Sequence, residues 1–416
     1  MKASLLFQAM ATAATASRAD RVSPFDVLLT HHHDTKIRVS ITNTDTKGYN
    51  LLHEGRILDS APVRKLHVAN GGRSITSPAC TDDKLTYAEA AVAPFHGVSK
   101  EVDMYHCNMS RDAFTPIAAG QTIDQYLDIA EFYHLEQSIY NISATGFLPY
   151  ADEGSTQLSG TPMPYLSNQL SIAVDADKAR QTTKAIDNFP VAKRVTIESD
   201  CSDLKKSALV AANTKCVSMA NAAAEAATSG DATVFETYFK DSSSSTRSKV
   251  AANFQAVAKD CGANPVGDTT SHCTDPYSYC TGDLLAYTIW KDTDSLVNSG
   301  RTGTIYHCAR YFNDLPAAPE QCHEQSQATN TLHEETHAVA GTEDHAYGYT
   351  AIKELSASDA LTNADTYALY ANGMLCAMLL KVCFEEMLTH CADIALKCAS
   401  ASSESTSDYG STDNSE

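Results

Sequence analysis

A chain of 416 residues with a formal net charge of −20 is long enough for two folded units and too acidic to offer nucleic-acid phosphates a basic face. No apolar stretch is long enough to span a bilayer, so no membrane partner is expected. The cysteine count of 13 points to an oxidising compartment.

The chain opens like a secretory leader. Lys2 precedes the apolar Leu5-Leu6-Phe7, and Ala14-Thr15-Ala16 supplies an A-x-A end, so residues 1–16 are expected to be a signal peptide and the protein to be extracellular. Asn108-Met109-Ser110 and Asn141-Ile142-Ser143 are glycosylation sequons in that setting. Residues 17–194 carry no catalytic constellation. Alternating side chains at 37–41 and 170–174 read as half-buried strands, with Gly154 and Gly160 as turn residues. A small β-rich, sandwich-like domain is expected there. His31-His32-His33 is expected in a solvated loop rather than a metal site, and Cys80 is expected to pair with Cys107. Lys193-Arg194, just after Phe189-Pro190, is a dibasic pair of the kind a processing protease cuts.

From Val195 the pattern turns helical, and acidic side chains outnumber basic ones by 30 to 13 up to Glu416. Such a field steers basic proteins or peptides, and equally keeps a secreted protein soluble. Helices are expected at 204–227, ended by Gly230, at 232–240 with Phe235, Tyr238 and Phe239 as anchors, and at 244–259. Segments 284–290 and 302–306 read as strands.

The chemistry concentrates at His333-Glu334-Glu335-Thr336-His337, an HExxH motif. Residues 322–332 hold no Gly or Pro and can run helically into it, and Gly341 can stop the helix one turn after His337. Residues four apart share a helix face, so both imidazoles can reach one ion with Glu334 beside them. Two imidazoles and one oxygen ligand suit Zn²⁺ and leave a fourth position for water, whose proton Glu334 is placed to take. The third ligand is chosen by spacing. The register HExxHxxGxxH fails, because Ala340 and Glu343 stand where Gly and His are needed. Asp344, just beyond the glycine turn, is the preferred ligand, with His345 as fallback and Glu354 as the option on a later helix.

A helix is expected at 356–374, supporting the metal loop from behind. Beyond it, 377–398 reads as a Cys-rich helical extension. Cys376, Cys383, Cys391 and Cys398 share one stripe of that helix, expected to pack on, or be bonded to, the preceding domain. Residues 399–416 are Ser-rich and acidic and are expected to be disordered.

HExxH followed by Gly341-Thr342-Glu343-Asp344-His345-Ala346-Tyr347-Gly348 (GTxDxxYG) resembles the deuterolysin family, the aspzincin metalloendopeptidases of fungi. Gln325-Ser326-Gln327-Ala328-Thr329, Leu355-Ser356-Ala357-Ser358-Asp359-Ala360-Leu361, Asn363-Ala364-Asp365-Thr366-Tyr367 and His272-Cys273-Thr274-Asp275-Pro276 extend the likeness. It covers roughly 195–376 well, while the Cys-rich extension departs from the family. The resemblance implies one Zn²⁺ per chain on His333, His337 and Asp344, Glu334 as general base, and Tyr347 as a donor to the oxyanion. It implies disulfides Cys201–Cys273, Cys280–Cys308 and Cys322 with Cys376 or Cys383; Cys216 and Cys261 have no counterparts and are expected to pair with each other. It places Lys193-Arg194 directly before the catalytic domain, as a kexin-type site that would release 17–194 as a propeptide. The fold expected is α+β: a mainly helical, zincin-like domain at 195–376 with a small sheet, preceded by the β-rich propeptide. In such enzymes an edge strand pairs with the extended substrate, and 284–290 and 302–306 are candidates. The expected function is a monomeric, secreted zinc endopeptidase made as a zymogen, acting on protein or peptide substrates that include basic ones. The alternative is a non-catalytic secreted binding protein with a structural zinc.

Overall fold

The computed structural model describes residues 23–71, 92–104, 109–159, 162–186, 197–263, 269–291, 302–319 and 321–375. The expected leader, Cys80, Cys107, Asn108, Lys193-Arg194, Cys376, Cys383 and the C-terminal extension lie outside them.

The N-terminal region is built of short strands: β1 (Phe25–His33), β2 (Lys36–Asn43), β3 (Tyr49–Leu52), β4 (His67–Asn70), β5 (His96–Val102), β6 (Phe114–Ile117), β7 (Thr122–Asp128), β8 (Ser138–Ser143), β9 (Thr145–Leu148), β10 (Tyr150–Asp152), β11 (Met163–Leu166) and β12 (Leu170–Val174), with short helices α1 (Ile129–Phe132) and α2 (Ala176–Gln181). The alternation at 37–41 and 170–174 lies inside β2 and β12. All of these strands except β5 form four small sheets, ordered β1-β2-β7, β10-β3-β6, β11-β9 and β12-β8-β4. Inward residues such as Val27, Leu29, Ile37, Val39, Ile41 and Phe95 make one apolar core. His31-His32-His33 forms the exposed end of β1, not a loop, because the strand runs on to the hairpin turn at Asp34.

The second half opens with three helices: α3 (Asp203–Ser229), α4 (Ala232–Phe239) and α5 (Ser244–Gly262). Ser202, Asp231 and Ser243 cap them by accepting from backbone N–H groups of the first turn. Lys240 (φ 63°) ends α4 in a left-handed cap. Strands β13 (Thr270–His272), β14 (Leu284–Lys291) and β15 (Thr302–His307) follow, then α6 (Ala309–Asn313), α7 (Gln327–Glu335), α8 (Tyr349–Ile352), α9 (Ala357–Thr362) and α10 (364–375). The single helix expected at 356–374 is therefore two. Asn363 bridges to Glu343 and turns its side chain to the metal loop, which interrupts the helix there. Phe235, Phe239, Phe254, Tyr367 and Tyr370 form an aromatic core in edge and stacked contacts at 4.9–5.9 Å. Disulfides Cys201–Cys273, Cys216–Cys261 and Cys280–Cys308 staple this half. Each contributes about 2–4 kcal/mol by restricting the unfolded chain. Cys322 is also disulfide-bonded. Helices and largely antiparallel sheets thus mix as an α+β chain.

The two halves share a sheet. Its order is β13-β15-β14-β5, so a strand of the N-terminal region completes the sheet of the second half. Neither candidate is an edge strand of this sheet: β15 is flanked by β13 and β14, both of the second half, and β14 by β15 and by β5 of the N-terminal region. β5 lies antiparallel on the outer side of β14, with Tyr287 opposite Lys100 and Thr288 opposite Ser99. A core common to both halves backs this seam: Leu52, Val98, Val102 and Phe114 pack with Leu284, Tyr287, Ile289 and Tyr306.

Candidate metal centre

The helix α7 is fixed at its start by a reciprocal capping box between Ser326 and Thr329. Every residue from Gln327 to Ala338 is buried, so the helix is no solvated face. Its last turn, Thr336–Ala340, widens to a π-turn and ends at Gly341, whose φ of 69° is left-handed and whose N–H donates to the Thr336 carbonyl. Gly303 of β15 sits against this turn: a Cβ there would lie 2.4 Å from that of Ala338, so only glycine permits the close approach.

The turn at Gly341 swings the chain back beneath the helix. Glu343 N–H donates to the Thr362 carbonyl, and the Asn363 Oδ1 accepts from the N–H groups of His345 and Ala346. Asp344 is thereby delivered to the imidazoles. His333 Nε2 and His337 Nε2 lie 3.1 Å apart, and the Asp344 Oδ1 lies 3.1 Å from the first and 3.2 Å from the second. Three donors on so small a triangle can all sit about 2 Å from one ion with a fourth direction left open. His337 Nδ1 lies 2.9 Å from the Thr342 carbonyl, which can only accept, so the proton sits on Nδ1 and the Nε2 lone pair faces the cluster. His345 and Glu354 are not in it: His345 Nε2 lies 2.9 Å from the Thr362 hydroxyl, and Glu354 is exposed.

The electrostatics favour a cation. Burial opposes charge on Asp344, yet the imidazoles of His337 and His333 outweigh it and hold the carboxyl well below the usual range. Burial likewise opposes charge on His333, but Glu101, Asp344 and Asp365 draw positive charge there and push it up. Glu334 is wholly buried; that burial raises its carboxyl despite the two imidazoles. Its Oε2 accepts from the Thr288 hydroxyl of β14, while Oε1 has no partner among the described residues. Two imidazoles, one carboxylate and an orphaned buried carboxylate oxygen fit a zinc ion with an acid–base group beside it. Tyr347 is buried, its ring 5.8 Å from and stacked on that of His333, and burial keeps its phenol protonated.

Some contributors carry no motif. Thr288 holds Glu334; only the strand pattern of β14 hinted that it points inward. Asp365 approaches His333 Nδ1 at 3.6 Å and accepts from Gly348 N–H. It stood in the Asn363-Ala364-Asp365 stretch without a role. The N-terminal region supplies Lys100, whose carbonyl accepts from the Tyr347 hydroxyl, Arg56, whose guanidinium lies 4.5 Å over the Tyr347 ring, and Arg64, which pairs with Glu343 at 2.6 Å. A cavity lies between the halves, lined by basic Arg56, Arg64 and Lys65 on one side and acidic Glu343, Asp344 and Asp359 on the other.

The likeness to known proteins runs along most of the chain. The model of the Deuterolysin metalloprotease (M35) family matches residues 1–384. Neutral protease 2 of Aspergillus oryzae is 36% identical over 375 residues, 89% of this chain and 96% of that protein. Neutral protease 2 homologs of Botryotinia fuckeliana and Phaeosphaeria nodorum are each 38% identical, covering 88% and 89% of this chain and 95% and 97% of theirs.

Proposed function

Since the chain belongs to the deuterolysin metalloprotease family and is a metalloendopeptidase, we propose that it is a secreted zymogen that cleaves peptide bonds with one zinc ion on His333, His337 and Asp344. The observation that carries this reading is the cluster of His333 Nε2, His337 Nε2 and Asp344 Oδ1 within 3.1–3.2 Å of one another, with the unpartnered Oε1 of Glu334 on the same helix. When bound, the ion supplies Lewis acidity to the scissile carbonyl and to water.

The side chains do the rest. Glu334 takes the proton of the attacking water and passes it to the leaving amine, a task suited to a carboxyl raised by burial. Thr288 keeps the glutamate rotamer fixed by donating to Oε2. Tyr347 donates to the oxygen on which negative charge develops. Peptide substrates extend along β14, and Glu343 and Asp359 beside the site favour basic ones. The disulfides and the leader-like first 16 residues support secretion. Cleavage after Lys193-Arg194 would free residues 195–376 from the propeptide.

The test is metal analysis and casein cleavage on chain cut after Arg194, with and without a chelator. One zinc per chain and cleavage that stops on chelation are expected. Zinc without any cleavage would leave a structural ion and end the reading.

A further inference from the structure

We propose that β5 is a built-in substrate surrogate: the N-terminal region closes the cleft by laying His96–Val102 along β14 as a peptide substrate would lie, with Lys100 and Glu101 astride the catalytic centre. This rests on the site assignment above, and it adds how the zymogen is silenced and what a cleavable peptide must replace.

Four observations converge. β5 runs antiparallel to β14 and takes its outer edge, the edge of that strand not used by β15. Within β5, the Lys100 carbonyl is the one that accepts from the Tyr347 hydroxyl, the donor assigned to the scissile carbonyl. The next side chain, Glu101, turns into a buried polar pocket beside His333, where Asn330 Nδ2 donates to one oxygen and Gln325 Nε2 donates to the other at 3.1 Å. The strand is held from its own side, where Lys100 Nζ pairs with Asp59 at 3.0 Å and Val98 N–H donates to the Pro62 carbonyl; from the catalytic half, Arg310 pairs at 3.1 Å with Asp103 just past its end. Main-chain pairing along an edge strand, a carbonyl on the oxyanion donor and the following side chain in a pocket are the three contacts an extended substrate makes. Here one tethered segment makes all of them, so an outside peptide finds no edge, no donor and no pocket. The pocket of Gln325 and Asn330 is then where the residue after the scissile bond goes once β5 leaves.

The experiment compares full-length chains whose processing pair is blocked by Lys193→Ala and Arg194→Ala, with and without Glu101→Arg, alongside wild-type chain cut after Arg194. Casein cleavage, zinc content and hydrogen exchange of the β14 amides are read for each. The blocked parent is expected to be silent, zinc-loaded and protected along 284–291. Glu101→Arg in the blocked chain is expected to raise cleavage at least about tenfold and to speed β14 exchange, with zinc retained. If that variant loses zinc or misfolds, the milder Glu101→Ala in the same background serves, with the same expectation. A zinc-loaded blocked variant as silent and as protected as its parent, beside an active cut wild type, overturns the proposal and leaves the enzyme assignment standing. A zinc-loaded but inactive cut wild type sinks the enzyme assignment instead, and fast β14 exchange in the blocked parent overturns the surrogate on its own.

Discussion

Glu334 and Asp344 lie on the same small cluster yet carry different proposed duties, and substitution separates them. Glu334→Gln keeps the shape and the contact with Thr288 but removes the basic oxygen. Zinc content should stay at one per chain while kcat falls by about 10² to 10⁴. An active, zinc-loaded Glu334→Gln enzyme would rule out the base. Asp344→Ala removes one corner of the triangle and should strip the metal; unchanged zinc by elemental analysis would move the third ligand elsewhere. Thr288→Val tests the support given to Glu334. It deletes one buried hydroxyl donor without changing the outline of β14. Losing one such bond is worth about 1–1.5 kcal/mol, so kcat should drop roughly tenfold with KM little changed. A variant whose KM rises while kcat holds would place Thr288 in substrate binding instead.

At the scale of elements, the site hangs on a turn. Gly341 at φ 69° lets the π-turn end and the chain double back with Asp344 on it. Alanine there meets a left-handed strain of about 1–2 kcal/mol. Gly341→Ala should therefore lower the Tm by a few degrees and weaken zinc binding together. Equal Tm and equal zinc affinity would mean the loop is positioned by Asn363 alone. This part of the molecule was legible in the sequence because it is local. Imidazoles four apart, a glycine, and an aspartate soon after the second histidine are all fixed by helix geometry and one turn. The break at Asn363 was not, because its cause is a bond to Glu343 from a separate element. β5 was hidden for the same reason more strongly. Lys100 and Glu101 belong to no motif, and their strand partner β14 lies in the other half of the chain, so their pairing leaves no local period. Both side chains are buried, and their partners come from distant segments: Asp59 for the lysine, and Asn330, Gln325 and His333 for the glutamate.

For the whole molecule, the question is how firmly the N-terminal half stays seated, and one buried acid makes that depend on pH. Glu54 lies in the seam, where its Oε1 accepts from the Thr281 hydroxyl at 3.1 Å and its Oε2 has no partner among the described residues. Burial pushes its carboxyl from 4.5 up to about 7, with Asp59 and Asp283 adding to the rise and the Lys100 ammonium and the Thr281 hydroxyl opposing it. The seated form thus holds a proton that an exposed glutamate would have released. Stability from this group is fully present below pH 4.5 and is lost as pH climbs through about 7. The loss amounts to at most about 3.5 kcal/mol, since each tenfold change in proton affinity is worth about 1.4 kcal/mol. Lys65, whose ammonium burial pushes down to about 8, changes above that window. Urea unfolding of the uncut chain between about pH 4.5 and 7.5 should show wild type losing stability relative to Glu54→Gln, because glutamine keeps the neutral form at every pH. The two curves should converge at the acid end and separate toward neutrality. Parallel curves would remove Glu54 as the seam's proton-linked group. A neutral medium would then loosen the seam that an acidic one holds shut, and β5 would leave β14 more readily after the chain is cut.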